Sequence, residues 1–358
     1  MPRSLTLLAT LLVLGAAAAV PAQAKAPAGF VGMVSPDTFA GNAKYQSKEL
    51  AAMQKAGVTL VRQVFDWSII EHKKNVYNFS VYDAAVAAAA KRGIEIMPIL
   101  FNPPSYLSAK PRKHAKRGTY PPKNLNSIAA LARAAVRWYG PNGRFWTTHP
   151  KVPKLPIEIW QIWNEPNLPV YWLPKPSASK YVTLLGVASK AIRALDPSAE
   201  VVSAGIPQSP LGIGMLTYLG QMLHAGAAND ANTVGINAYS RTASGMIKLL
   251  RQVRSTLDRD GASRVAIRVT EFGWSDTGPG STYRLGASGQ AKEISAVVKD
   301  FYAVRGALDL RGFSYFDWKD AKPYPGGVNF WGLHTGLLKL NGEAKKALKA
   351  FSTAANGL

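Results

Sequence analysis

The chain contains no cysteine. That absence excludes disulfide bridges, thiol nucleophiles, thiolate zinc sites and a lipid-modified N-terminal cysteine together. Histidine is scarce, and His72, His114, His149, His224 and His334 show no ligand spacing such as His-Glu-x-x-His, so no metal is expected. No Gly-x-x-x-x-Gly-Lys-Ser/Thr loop appears, nor a Gly-x-Gly-x-x-Gly turn after a strand; nucleotide chemistry has no foothold and no cofactor is expected. Acids are few, 21 against 43 Lys and Arg, which leaves a formal charge of +22. Such an excess steers polyanions toward the surface whatever the fold. For an exported chain the expected polyanion is an acidic polysaccharide or an anionic envelope rather than nucleic acid, with a plain solubility trait as the competing explanation.

Export is read from the N-terminus. Arg3 precedes an apolar run from Leu5 to Val20 and then Pro21-Ala22-Gln23-Ala24, the layout of a signal peptide with a small-x-small cleavage site after Ala24. The competing reading is an uncleaved anchor. No later segment approaches a transmembrane length, so residues 25–358 are expected outside the membrane, secreted or in the cell envelope. At 47% hydrophobic residues, disorder is excluded and one large core is expected.

Short β-branched runs alternate with alanine-rich helical stretches. Strands are predicted at Phe30–Val34, Thr59–Val64, Ile94–Phe101, Ile157–Asn164, Glu200–Ala204, Val234–Ala238, Val265–Thr270 and Gly312–Phe316. Helices are predicted near Ser47–Lys55, Ser80–Arg92, Asn126–Tyr139, Ser177–Leu195, Leu211–His224, Ser244–Leu257, Ser288–Val304 and Gly342–Phe351. Strict alternation favours a parallel sheet, and eight units close a (β/α)8 TIM barrel; a doubly wound sheet is the alternative. No repeat and no Ser/Gly-rich linker divides the chain, so a single α/β domain is expected.

Two acids stand out against this frame. Glu165, in Ile159-Trp160-Gln161-Ile162-Trp163-Asn164-Glu165-Pro166-Asn167, ends the fourth strand, and Glu271, in Val269-Thr270-Glu271-Phe272-Gly273-Trp274, ends the seventh. In a barrel, chemistry sits at the C-terminal ends of the strands. Trp67, Asn102, Tyr239, Asp317 and Trp318 end other strands at the same rim. Six tryptophans, Trp67, Trp163, Trp172, Trp274, Trp318 and Trp331, lie in post-strand segments, which predicts an aromatic cleft. Two carboxylates across a scissile bond are the minimum equipment for glycoside hydrolysis: one protonates the departing oxygen while the other stabilises or attacks the anomeric carbon. Glu165 is assigned as acid/base because Asn164 beside it can bond the sugar's 2-hydroxyl, and Glu271 as nucleophile. For either acid alone the competing role is a salt bridge or helix cap.

These segments resemble glycoside hydrolase clan A, retaining barrel enzymes that include families 39 and 5. The likeness runs from Gly57-Val58-Thr59-Leu60-Val61-Arg62 through Trp67-Ser68-Ile69-Ile70-Glu71, Tyr77-Asn78-Phe79, Asp83 and Gly93-Ile94 to Tyr315-Phe316-Asp317-Trp318. It implies that Glu165 is the acid/base, Glu271 the nucleophile, Arg62 the arginine that orients the nucleophile, Tyr239 a donor to it and Trp318 the floor of the reacting subsite. Trp67 and Trp274 join the expected substrate-binding set. One departure is plain: where the clan often has a histidine two residues before the sixth-strand tyrosine, this chain has Asn237, so that histidine's contribution to the acid/base is expected to be missing.

The activity implied is cleavage of an O-glycosidic β-bond in a polysaccharide or oligosaccharide with retention of configuration. A transglycosylase using the same two acids, and a glycan-binding or envelope-organising protein on an inactive barrel, are the alternatives; the second predicts loss of a glutamate, and both are present. Between the third strand and its helix, Ser105 to Asn124 carries Lys110, Arg112, Lys113, His114, Lys116, Arg117 and Lys123. A loop this long on the catalytic face predicts a basic wall selecting anionic chains, against the simpler reading of a solvated charge run.

Overall fold

The computed structural model describes residues 25–323 and 326–358; the leader expected over residues 1–24 lies outside them. Eight main strands run parallel: β1 (Val31–Val34), β2 (Leu60–Asp66), β3 (Glu95–Phe101), β4 (Ile159–Ile162), β5 (Glu200–Val202), β6 (Thr233–Asn237), β7 (Ala266–Phe272) and β8 (Leu310–Tyr315). Each pairs with the next, β8 returns to β1 through Met33↔Tyr315, and β5 meets β6 at Val202↔Thr233. A two-residue strand, Ile206–Pro207, continues the β5 side against Ile236 and Asn237. The sheet is therefore a closed (β/α)8 barrel, and closure removes the edge that a doubly wound sheet would leave open.

Period-two alternation sorts the strand residues into two cores. On β2, Val61 and Phe65 face outward into the large cluster shared with the helices. Leu60 faces inward, in a small lumen cluster with Met97, Val202 and Ile159. The next inward positions, Arg62 and Val64, rise toward the C-terminal mouth and line the cavity there. The outer helices bury one stripe each: along Ala243–Arg259 these are Met246, Ile247, Leu250, Val253 and Leu257, the spacing of one helical face. Their starts are fixed by side-chain caps, Asn42 for Ala43–Lys55, Ser177 for Ala178–Arg193 and Thr242 for Ala243–Arg259.

Two departures from the expected elements matter for the mouth. The β4 ladder stops at Ile162 instead of reaching Asn164. The helix expected from Leu211 begins at Met215, leaving Gln208 to Gly214 as a loop beside the cavity. No helix among the described residues is long and apolar enough to cross a membrane.

Candidate active site

β4 ends where the backbone turns left-handed, with φ 73° at Trp163 and 44° at Glu165. Non-glycine residues hold such angles only where surroundings impose them, and they gather at functional sites. Here the Trp163 amide donates to Leu100 C=O (3.1 Å), the Glu165 amide to Gly205 C=O (3.1 Å), and the Trp163 indole to Tyr171 C=O (2.9 Å). Glu271 reaches the same space by another device. Ile236 pairs with Val269 but Asn237 pairs with Glu271, so β7 carries one extra residue, a bulge at Thr270. A bulge re-aims side chains that strict alternation would send to opposite faces. Thr270 bonds Asn237, and Glu271 bonds Arg62 and Tyr239.

Both oxygens of Glu271 are held. Arg62 Nη1 donates to Oε1 at 2.7 Å and Tyr239 OH to Oε2 at 3.1 Å. The Arg62 guanidinium is itself fixed by Nε to Gln161 Oε1 (2.7 Å) and Nη2 to Asn164 Oδ1 (2.9 Å), and Gln161 is anchored on Ser203 C=O. Because Asn164 spends its oxygen on Arg62, its amide N–H groups are left for a ligand. Burial, together with the charges of Glu271 and Glu165, raises the Tyr239 phenol well above its ordinary range, so it stays a donor.

Glu165 is the unusual acid. Burial first and the Glu271 charge second push its pKa up to about 8, partly offset by the Asn237 hydrogen bond and Arg62. Asn237 corrects the expectation from its sequence position. Its Nδ2 donates to Glu165 Oε1 at 2.6 Å while its Oδ1 accepts from Thr270 Oγ1 at 2.7 Å, so a neutral amide contacts the acid where a histidine was missed. The Thr270 hydroxyl fixes which way that amide faces. Gly205 makes room, since a Cβ there would collide with Asn237 Oδ1 and Thr270 Oγ1.

Around these groups lies a cavity of about 560 Å³, whose charged lining residues are Arg62, Glu165 and Glu271. Its aromatic walls are Phe101, Tyr171, Tyr239, Tyr283, Phe316, Phe330 and Trp331. Tyr239, Tyr283 and Trp331 pack on one another, with ring centroids of Tyr283 and Trp331 4.6 Å apart. A second cavity of similar size opens at the opposite end of the barrel, near Glu95, Glu158 and Glu200, away from the strand ends that carry chemistry in this fold.

The tryptophans expected at the cleft are corrected. Trp67, Trp274 and Trp318 are buried and do not line the cavity. Each indole N–H is consumed inside the protein: Trp67 on Glu71 Oε2 (2.6 Å), Trp318 on Glu49 Oε2 (2.8 Å), and Trp274 on Ser240 C=O (2.8 Å). Of the six post-strand tryptophans only Trp331 is a lining residue. Asn102 turns to Asp66, and Asp317 is buried beside the Trp318 amide. Residues the sequence reading passed over are Gln161, Thr270, Gly205, Tyr171 and Tyr283. Gln161 had a signal, a lone polar residue inside an apolar strand; the others had none without the barrel in hand. Among the described residues no group of three or more His, Asp or Glu is placed to hold a metal.

The Ser105–Asn124 segment is a rim structure, and Lys110, Arg112, Lys113, His114 and Lys116 are exposed on it. Its tip is tied by Thr119 N–H to Val170 C=O (2.8 Å) on the β4 side and by Arg117 Nη1 to Gly326 C=O (2.6 Å) on the β8 side.

Residues 37–111 match the β-galactosidase family Glyco_hydro_42. Among solved structures, a family 39 glycoside hydrolase from Bacteroides cellulosilyticus superposes with a TM-score of 0.64 at 19% identity, covering 91% of this chain and 63% of that one. A monomeric β-xylosidase from Caulobacter crescentus gives 0.64 at 19% identity, covering 90% of this chain and 66% of that one. The chain thus spans just under two thirds of the length of these two proteins. The family 53 catalytic domain of Ignisphaera aggregans is nearer in size, with a TM-score of 0.59, 17% identity, and coverage of 92% and 97%. At these identities the shared property is the fold. No match was found among curated proteins.

Proposed function

We propose that this protein is a retaining β-glycosidase that uses Glu271 as nucleophile and Glu165 as acid/base. The observation carrying the reading is the unlike treatment of two neighbouring acids: Glu271 bonded through both oxygens to Arg62 and Tyr239, Glu165 buried on one neutral amide with its pKa raised. Pairs of acids whose environments differ in this way divide acid and base roles. In the first step a Glu271 oxygen bonds to the anomeric carbon as the glycosidic C–O bond breaks, and the Glu165 proton passes to the leaving oxygen. In the second, Glu165 takes a proton from water, whose oxygen displaces Glu271 and restores both acids. Asn164, its oxygen held by Arg62, offers N–H to the 2-hydroxyl, a contact that strengthens in the transition state. The leader motif makes the site of action the cell exterior or envelope, which secretion of a tagged full-length chain with loss of residues 1–24 tests. Release of nitrophenol from a panel of p-nitrophenyl β-xyloside, glucoside, galactoside and mannoside tests the activity; no release from any of them contradicts it.

The relay behind Glu165 gives a graded test. In Thr270→Val the Asn237 amide loses the partner that orients it, and in Asn237→Ala the donor is gone. Hydrogen bonds to charged groups contribute about 1.5–3 kcal/mol, so kcat/KM is expected to fall roughly 10–100-fold. The alkaline limb should also move upward, because that bond favours the ionised acid. Thr270→Ser keeps the hydroxyl and is expected to stay near wild type.

The exposed cations of Ser105–Asn124 favour an anionic glycan beyond a reacting subsite whose only cation, Arg62, is already committed. Arg112→Ser with Lys113→Ser should raise KM roughly two- to tenfold at low salt on an acidic polysaccharide and leave neutral chains unchanged. Equal losses on both would assign the segment a structural role.

A further inference from the structure

Glu165 leaves the end of β4, and its carboxyl accepts from Asn237 on β6 at 2.6 Å. It therefore stands over β5, the strand between those two, where a Cβ on Gly205 would collide with Asn237. The leaving oxygen must come within hydrogen-bond reach of this carboxyl, so the group behind it lies along the loop that follows β5. That loop is drawn tight against the β4 turn. The Asn167 side-chain amide donates to Pro207 C=O (3.0 Å), the Ile213 amide donates to Asn167 C=O (2.9 Å), and a Cβ on Gly212 would collide with the same Asn167 carbonyl.

The surface that these two loops give the cavity is apolar: Leu168, Pro207, Pro210 and Leu211 line it, and Glu165 is the one charged residue that either loop contributes. The β5 loop adds two polar side chains, Gln208 and Ser209, whose oxygens already accept from the Met215 amide (3.1 Å) and the Leu211 amide (3.2 Å). Phe330 and Trp331, after β8, add apolar surface to the same cavity. A second sugar placed along the β5 loop would bury several hydroxyls against side chains that cannot bond them, which loses their hydration without compensation. An alkyl or aryl group placed there gains by covering the same side chains, Leu211 above all, since it is 76% exposed. The cationic Ser105–Asn124 segment follows β3, on the other side of β4, and lines none of the cavity. A rim that meets anionic glycan and a leaving-group side that meets apolar surface are thus different places.

We infer that the leaving group is an apolar alcohol, alkyl or aryl-alkyl, held on Leu168, Pro207, Pro210 and Leu211, and that Leu211 is a specificity determinant for it. This rests on the glycosidase reading above. The bond between the anomeric carbon and the alcohol oxygen breaks as Glu271 bonds to that carbon, and the Glu165 proton leaves with the alcohol. Run backwards, the same place admits an apolar alcohol as acceptor: its oxygen bonds to the anomeric carbon, Glu271 departs, and its proton passes to Glu165.

The test uses the full chain and the methyl, butyl, hexyl and 2-phenylethyl β-glycosides of whichever sugar the nitrophenyl panel shows to be preferred, with the matching disaccharide beside them. In wild type kcat/KM is expected to rise about threefold per methylene from methyl to hexyl, with hexyl and 2-phenylethyl both above the disaccharide. The gain should appear in KM with kcat level, because apolar contact is made equally in the ground and transition states. Added 1-butanol should trap the glycosyl–enzyme several times more often than methanol at equal concentration, read as butyl against methyl glycoside formed. Leu211→Ser should lower the hexyl-to-methyl ratio about three- to fivefold and Leu211→Met should keep it, with melting curves reporting folding. A flat series, or a disaccharide cleaved faster than the hexyl glycoside, would overturn the apolar leaving group while leaving the glycosidase reading standing. A hexyl-to-methyl ratio unchanged in Leu211→Ser would overturn the role of Leu211 alone. No release from any nitrophenyl or alkyl glycoside would overturn the glycosidase reading and this inference with it.

Discussion

Glu271→Ala is expected to lose about 10⁵-fold in kcat on every aryl β-glycoside that wild type cleaves, with sodium azide restoring a large part of the rate as an α-glycosyl azide. The loss corresponds to ~7 kcal/mol of transition-state stabilisation. The reason is local. The carboxylate is clamped through both oxygens by Arg62 and Tyr239, and an alanine leaves those two donors facing an empty space the size of a small anion. Azide fits that space and can attack the anomeric carbon from the same side as the missing oxygen. Glu271→Gln, by contrast, fills the space and should be as inactive and resistant to rescue. Activity surviving either substitution, measured by nitrophenol release against time, would remove Glu271 from the chemistry.

Glu165→Gln is expected to separate leaving groups. Proton donation contributes about 10²–10⁴-fold, but only where the departing oxygen needs a proton. An unactivated disaccharide should therefore lose that full factor, while a dinitrophenyl glycoside, whose phenolate leaves unaided, should form the glycosyl–enzyme at nearly the wild-type rate. The pH profile supplies the sign. Glu165 must be protonated to act as acid, and its pKa in the free protein is pushed up to about 8 by burial and then by Glu271. Wild-type kcat/KM on the disaccharide should hold below that pH and fall as pH rises through it. In Glu165→Gln that alkaline limb should vanish. A limb of unchanged position in the variant would place the titrating acid elsewhere.

Much of the barrel was legible because its signals are periodic. The eight strand runs and the helices after them overlap the predicted stretches, for Glu95–Phe101 and Ser80–Ala90 within two residues, while the last helix is displaced to Lys346–Asn356. What was not legible was where regular structure breaks. β4 was read through to Asn164, but Trp163 turns left-handed and ends the ladder. The bulge at Thr270 leaves no compositional mark, yet it lets Thr270 and Glu271 serve one site.

The site divides along the same line. Glu165, Glu271, Arg62, Asn164 and Tyr239 are short-range consequences of strand ends and converge on one cavity. Trp67, Trp274 and Trp318 stand at the same ends, and sequence cannot say which way an indole turns. Each found an internal acceptor on Glu71, Ser240 or Glu49, a better place for a buried N–H than an open cleft. Asn237 was seen as a loss because only its identity was visible; its value as a donor depends on Thr270 and Gly205, one on the next strand and one before it.

The proposed mechanism turns on a covalent glycosyl bond to Glu271. The direct measurement is mass spectrometry of the protein after exposure to a 2-deoxy-2-fluoro dinitrophenyl β-glycoside of the preferred sugar, whose fluorine slows both steps while the dinitrophenolate leaving group keeps the first one fast. One added fluoroglycosyl group per chain is expected, carried on the peptide containing Glu271 and released when turnover resumes. An adduct on another residue, or no adduct alongside turnover that inverts the anomeric centre, would contradict it.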